Sequence, residues 1–135
     1  MKLGFLLGYS GKHIHIPIDL IQQAESMGYD SVWTAEAYGN DAVTSAAYVL
    51  AQTSKIRVGT AIMQMPARTP AMCATPAAAP EPRSGGRFVV GRRASGPQVL
   101  EGWHGVPYGK PVTRTKEYIQ IMRKIFERQG PGEFD

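Results

Sequence analysis

Cysteine is almost absent from this sequence: Cys73 stands alone among 135 residues. Neither an internal disulfide nor a cysteine-based metal cluster is therefore open to the chain, and a lone thiol is most simply a small apolar filler. Long apolar runs are missing as well. No stretch approaches the roughly 18 residues of a membrane span. The apolar run within residues 1–8 is too short for a signal peptide and has no small-residue cleavage site, so the expected compartment is the cytoplasm, with no membrane partner. Neither sign of charge dominates. Fifteen basic and eleven acidic side chains leave a net +4, which suits an anionic small molecule and is too mild to argue for nucleic acid. No aromatic–basic interleaving of the kind that stacks bases is found, so nucleic acid is not an expected partner. The first strand is not followed by a glycine-rich phosphate loop: Gly8-Tyr9-Ser10-Gly11 lacks the three-glycine spacing that lets a backbone approach a pyrophosphate.

What is present fits one soluble domain, with 43% hydrophobic and 19% charged residues. Residues 2–8 read as a buried strand. Pro17 opens a helix with Ile18, Leu20, Ile21, Ala24 and Met27 at helical spacing, and Gly28 closes it. Residues 31–35 are the next strand. Asp41 caps a second helix whose apolar face is Ala42, Val43, Ala46, Ala47, Val49 and Leu50. Residues 55–61 and 87–91 are two further strands. A last helix over 113–129 carries the stripe Tyr118, Ile121, Met122, Ile125 and Phe126, and Gly130-Pro131-Gly132 stops it. Alternation of strand and helix predicts an α/β fold built of βαβ units on a parallel sheet.

One segment breaks the pattern. Residues 75–83 fall where a third crossover helix belongs, yet hold prolines at 76, 80 and 82, each costing about 3 kcal/mol inside a helix. The segment is read as irregular: a Pro/Ala linker, a helix broken at Thr75, or a short out-of-frame stretch of a GC-rich gene.

Several motifs carry a resemblance. Thr34-Ala35-Glu36-Ala37-Tyr38-Gly39-Asn40-Asp41-Ala42, Val58-Gly59-Thr60-Ala61-Ile62-Met63-Gln64 and Ala67-Arg68-Thr69-Pro70 are three of them. Ser84-Gly85-Gly86-Arg87, Ala94-Ser95-Gly96-Pro97-Gln98-Val99, Gly102-Trp103-His104-Gly105 and Thr113-Arg114-Thr115-Lys116-Glu117-Tyr118 continue the series in order. Together they resemble the luciferase-like monooxygenase superfamily, in particular its branch that uses the deazaflavin coenzyme F-420. The resemblance implies the N-terminal half, about four βα units, of a TIM-type (β/α)8 barrel, with the cofactor at the C-terminal ends of the strands. It implies a flavin- or deazaflavin-dependent oxidoreductase acting on a small organic substrate by hydride transfer or oxygenation, with coenzyme F-420 as cofactor and FMN as the alternative. Set against this are a non-catalytic truncated remnant and a homodimeric half-barrel module, since four strands leave two open edges.

The resemblance also assigns residues. Glu36, at the tip of the second strand, is the expected catalytic group if burial makes it a general acid/base, and otherwise a salt-bridged or solvated loop acid. Relatives often follow this acid with His, where this chain has Ala37. Thr60, Ala61 and Ile62 are expected to back the cofactor ring, either across a non-prolyl cis peptide at Ala61-Ile62 or as an ordinary trans strand end. Ser95 and Gly96 are expected to line the cofactor's edge, although some relatives have a carboxylate at the position of Gly96. Gly91-Arg92-Arg93 replaces a Gly-Leu-Gly, and two cations buried there without partners would cost several kcal/mol each. No metal is expected: His13 and His15 lack a third ligand. Tyr9, Trp103 and His104 either face the barrel mouth or pack loops.

Overall fold

The computed structural model describes residues 1–8, 15–78 and 85–127. Expectations placed on Tyr9, His13, residues 79–83 and the end of the last helix beyond Glu127 lie outside the described residues. In chain order the elements are β1 (Gly4–Leu6), α1 (Ile18–Ser26), β2 (Ser31–Thr34), α2 (Ala42–Gln52), β3 (Arg57–Thr60), β4 (Met63–Gln64), a 3-10 turn (Met65–Ala67), α3 (Pro70–Ala78), β5 (Phe88–Val89), β6 (Arg92–Arg93), a π-helix (Gln98–Trp103) and α4 (Pro111–Glu127). They fall into two compact units, Met1–Met63 with Pro80–Arg92, and Gln64–Ala79 with Arg93–Asp135. No helix among the described residues is long and apolar enough to cross a membrane.

The first unit is built on a four-stranded sheet in the order β1-β2-β3-β5, every neighbouring pair parallel. Strands added one after another to the same edge, with no reversal, give the winding of a barrel; a doubly wound sheet reverses its order partway. The register aligns Phe5, Val32, Val58 and Phe88 in one row across the sheet. That row faces the helices, where Val32, Val58, Ile21, Ala46, Val49 and Ile56 form the buried core with Phe5 and Phe88 packed against it. Because strand side chains alternate, Leu6, Trp33, Gly59 and Val89 form the opposite row. This inner face is open: Gly4 and Leu6 are exposed. The first strand was expected to be buried throughout; it is covered on the helix side alone.

Local chemistry sets the helices of this unit. Gly28 takes φ 83° after the Met27 cap of α1, a left-handed geometry that glycine adopts without Cβ strain. Asp41 caps α2 by accepting from the Thr44 amide at 2.6 Å. Between α2 and β3 the chain is held by two side chains. Glu25 Oε1 accepts from the amides of Ser54 (2.9 Å), Lys55 and Ile56 (2.8 Å). The Arg87 guanidinium donates to the carbonyls of Leu50, Thr53 and Ile56 and to the Thr53 hydroxyl, all at 3.0–3.1 Å. Desolvation opposes ionisation of Glu25, but the three amides and the nearby Arg87 outweigh it and hold its carboxyl below the ordinary range.

In the second unit α3 packs on α4. Cys73 and Ala74 are buried on α3, and Tyr118, Met122 and Ile125 on α4. Ile121 and Phe126, expected in the same stripe, are exposed. The Tyr118 hydroxyl hydrogen-bonds to the carbonyls of Arg68 (2.9 Å) and Thr69 (3.1 Å), fixing the approach to α3. This docking accounts for a departure from the sequence reading. The irregular segment was expected from residue 75, yet α3 continues through Thr75 and Pro76 to Ala78. A proline near the end of a short helix forfeits one backbone bond, and packing of the helix outweighs that loss. Arg92 and Arg93 also depart from expectation. They are half-buried and exposed respectively, so the burial cost anticipated for them does not arise.

Candidate functional site

Parallel strands place their C-terminal ends on one edge, and the register sets Thr34 of β2 beside Thr60 of β3. Beyond these residues the two chains stay joined: the Ala61 amide donates to the Thr34 carbonyl at 2.6 Å, and the Glu36 amide to the Ile62 carbonyl at 3.3 Å. Glu36 and residues 60–62 are thus brought together at the C-terminal edge of the sheet. The Ala61–Ile62 peptide is cis, the isomer the resemblance implied for this position. Ala61 is exposed and Ile62 half-buried.

Each of these residues has a definite set of partners. The Thr60 side chain is fully buried. Its hydroxyl donates to the Gly91 carbonyl (2.7 Å) and accepts from the Gly91 amide (3.0 Å). It therefore ties β3 to the end of the neighbouring strand and supports the site from behind. Gly91 has no room for a side chain, since a Cβ there would lie 2.1 Å from the Thr60 carbonyl oxygen. Glu36 is buried, and its Oε2 accepts from the Ala42 amide at 2.9 Å, the first residue of α2. A carboxylate at that place satisfies one of the amides a helix start leaves open and complements its dipole. Thr34 reinforces the joint, its hydroxyl donating to the Ala42 carbonyl at 2.8 Å.

The inner face beside this edge holds a concavity of about 550 Å³ lined by Gly4, Phe5, Leu6, Ser31, Trp33 and Ala61. Trp33 donates from Nε1 to Ser31 Oγ at 3.0 Å. Its ring lies over Gly59, where an added Cβ would sit 2.3 Å from Trp33 Cζ3. The hollow is broad and open on one side. Its apolar lining, with the small, exposed Ala61 at one end, leaves room for the face of a flat ring.

The other expected cofactor residues lie in the second unit. Ser95 takes φ 65°, unusual outside glycine, and with Gly96 it heads the π-helix. The Gly96 carbonyl accepts from the amides of Val99 (3.1 Å) and Leu100 (3.0 Å). The turn is closed by the His104 amide, donating to the Val99 carbonyl at 3.1 Å. The His104 ring then meets Gln64, with Nε2 2.6 Å from Oε1, and Gln64 is buried. The sequence reading gave Gln64 no role; the signal was a polar residue directly after an apolar strand tip. Trp103 is exposed. Among the described residues, no group of three or more His, Cys, Asp or Glu is placed to hold a metal ion.

Comparison with known proteins gives this geometry its lineage. The family model for luciferase-like monooxygenases matches residues 4–135. A Mycobacterium tuberculosis protein, provisionally named a coenzyme F-420-dependent oxidoreductase, is 46% identical over 97% of this chain, which spans 38% of that relative's length. Among solved structures, the oxygenating constituent of 3,6-diketocamphane monooxygenase from Pseudomonas putida, in complex with FMN, matches with a TM-score of 0.78 at 22% identity, over 98% of this chain and 42% of its own. The coenzyme F-420-dependent tetrahydromethanopterin reductase of Methanopyrus kandleri matches with a TM-score of 0.75 at 22% identity, over 99% of this chain and 42% of its own. The chain thus spans about two fifths of the length of these relatives. With a sequentially wound parallel sheet, a strand-end cluster and a family model matched over almost its whole length, the chain belongs to the luciferase-like monooxygenase family and folds as part of its (β/α)8 barrel.

Proposed function

We propose that this chain carries cofactor-facing elements of an oxidoreductase that transfers hydride between coenzyme F-420 and a small organic substrate. The observation that carries the proposal is the cluster of Glu36, Thr60, Ala61 and Ile62 at the C-terminal edge of the parallel sheet, beside an apolar hollow. Similarity to the M. tuberculosis relative favours the deazaflavin over FMN. When bound, such a cofactor accepts or delivers a hydride, and the protein orients the ring and excludes water. Ala61 and Ile62 would support the ring, and the resemblance alone assigns Ser95 and Gly96 to the cofactor. Thr60 holds the strand end that presents them. Glu36 fixes the second-strand tip through the Ala42 amide, and its carboxylate is the group assigned to proton transfer.

Fluorescence titration of the purified chain with coenzyme F-420 and with FMN, alongside circular dichroism, tests the proposal. Saturable micromolar binding of F-420 to a folded chain supports it, and preferential FMN binding moves the assignment to the flavin branch. A folded chain that binds neither sinks the proposal. Solution mass in the same samples separates a homodimeric module from a monomer.

A further inference from the structure

Among the described residues the sheet of the first unit has two open edges, β1 and β5. Successive residues of a strand turn their backbone groups to opposite edges. Leu3 and Leu7 face β2: the Leu3 carbonyl accepts from the Asp30 amide and the Leu7 amide donates to the Trp33 carbonyl, both at 2.8 Å. The N–H and C=O of Gly4 and Leu6 therefore point outward. On β5 the Arg87 carbonyl accepts from the Val58 amide at 2.9 Å, so Phe88 points its own pair outward. Neither Gly4–Leu6 nor Phe88–Val89 carries the charge or proline that keeps open strands apart.

Both faces beside the β1 edge are apolar and uncovered. Gln22 and Glu25 hold one flank of α1 to the end of α2 and the residues after it. The opposite flank, with Leu20 and Met27 exposed, borders a groove of about 350 Å³ that Phe5 and Tyr29 also line. On the inner face Leu6 is exposed beside Trp33. Parallel strands are ordinarily covered on both faces, so this edge calls for a neighbouring strand that brings apolar cover on each side.

We propose that the neighbour is a second copy of this chain, its β5 lying parallel to β1. Each copy holds both sides of the joint. All four strands run in one direction, so β5 of one sheet leads into β1 of the other without a reversal. A two-fold axis makes the joint twice and leaves no edge unpaired. Four strands from each copy give eight, a number at which side chains just fill a closed barrel. Closure also staggers the register, and an even offset keeps Phe5 and Phe88 on the helix side. Neither edge contains Glu36, Thr60, Ala61 or Ile62, so the joint stands apart from the cofactor reading and its failure leaves that reading untouched.

Sedimentation equilibrium and amide hydrogen exchange on the full chain, without cofactor, test the joint. The expected mass is twice the 14.7 kDa of one chain, with the Leu6 and Phe88 amides protected although neither faces a strand of its own sheet. Leu6→Pro removes an amide that makes no bond to β2, and Leu20→Glu places a charge in the groove from an exposed position. Each is expected to weaken association about tenfold or more and to free both amides, while circular dichroism still reports a folded chain. If the proline variant unfolds, the glutamate variant decides. A monomer at the highest soluble concentration, a dimer whose Leu6 and Phe88 amides exchange freely, association unmoved in folded Leu20→Glu, or growth beyond two copies overturns the proposal.

Discussion

Replacing Glu36 with alanine removes the acceptor of the Ala42 amide at the start of α2, and a lost helix cap costs about 1 kcal/mol. Glu36→Gln keeps an oxygen for that amide and removes the charge. The expectation is a lower Tm for the alanine variant and near wild-type stability for the glutamine variant. Any loss of turnover or change in its pH profile in Glu36→Gln then reports proton transfer, which differential scanning calorimetry and steady-state rates separate. Two glycines invite the opposite experiment. Gly59→Ala meets the rigid Trp33 ring, and overpacking of this kind costs about 1–3 kcal/mol. Gly91→Ala meets the backbone of Thr60, which cannot rotate away, so its loss of stability in urea titration is expected to exceed that of Gly59→Ala. The positions of Glu36 and of Ala61-Ile62 were legible in sequence because motifs mark them. The amide that Glu36 holds was not, since it depends on how the loop over residues 37–41 folds back.

At the scale of elements, α1 and α2 were readable from their caps and periodic apolar residues. Pro17, Gly28 and Asp41 carry local backbone instructions that no distant contact overrides. α3 was legible only in part, because three prolines argue against a helix while the docking of α4 that favours one is non-local. That competition makes Pro76 a test. Pro76→Ala restores a backbone donor in the last turn of α3, and the expected gain is about 1–3 kcal/mol, visible as a higher Tm and greater amide protection over α3. Tyr118→Phe is expected to act against the same element. It removes the hydroxyl that bonds the Arg68 and Thr69 carbonyls, costing about 1 kcal/mol and lowering protection there first. The π-helix was invisible in sequence, since residues 98–103 show neither a cap nor a period that separates it from an ordinary turn.

At the scale of the whole molecule, acid stability follows from Glu25. Its folded-state pKa lies below the ordinary glutamate value of 4.5. The stabilisation is therefore present above that value and is lost as pH falls through the depressed pKa. Acid unfolding followed by circular dichroism is expected to begin below about pH 4.5. Glu25→Gln should be less stable at neutral pH and show a shallower acid transition. The barrel winding was foreseeable from strand–helix alternation together with the missing phosphate loop. The open inner face was not read from β1, because an apolar run does not reveal which side a neighbour will cover.

The Arg87 clip has a consequence for synthesis. Its acceptors, at Leu50, Thr53 and Ile56, precede it by 31–37 residues. A ribosome adding about 5–20 residues per second takes roughly 2–7 s to cover that gap. During this interval the connection between α2 and β3 has the Glu25 carboxylate for its amides and water alone for the carbonyls that Arg87 will claim. The nascent chain can thus assemble its first three strands provisionally, and the arrival of one guanidinium fastens them.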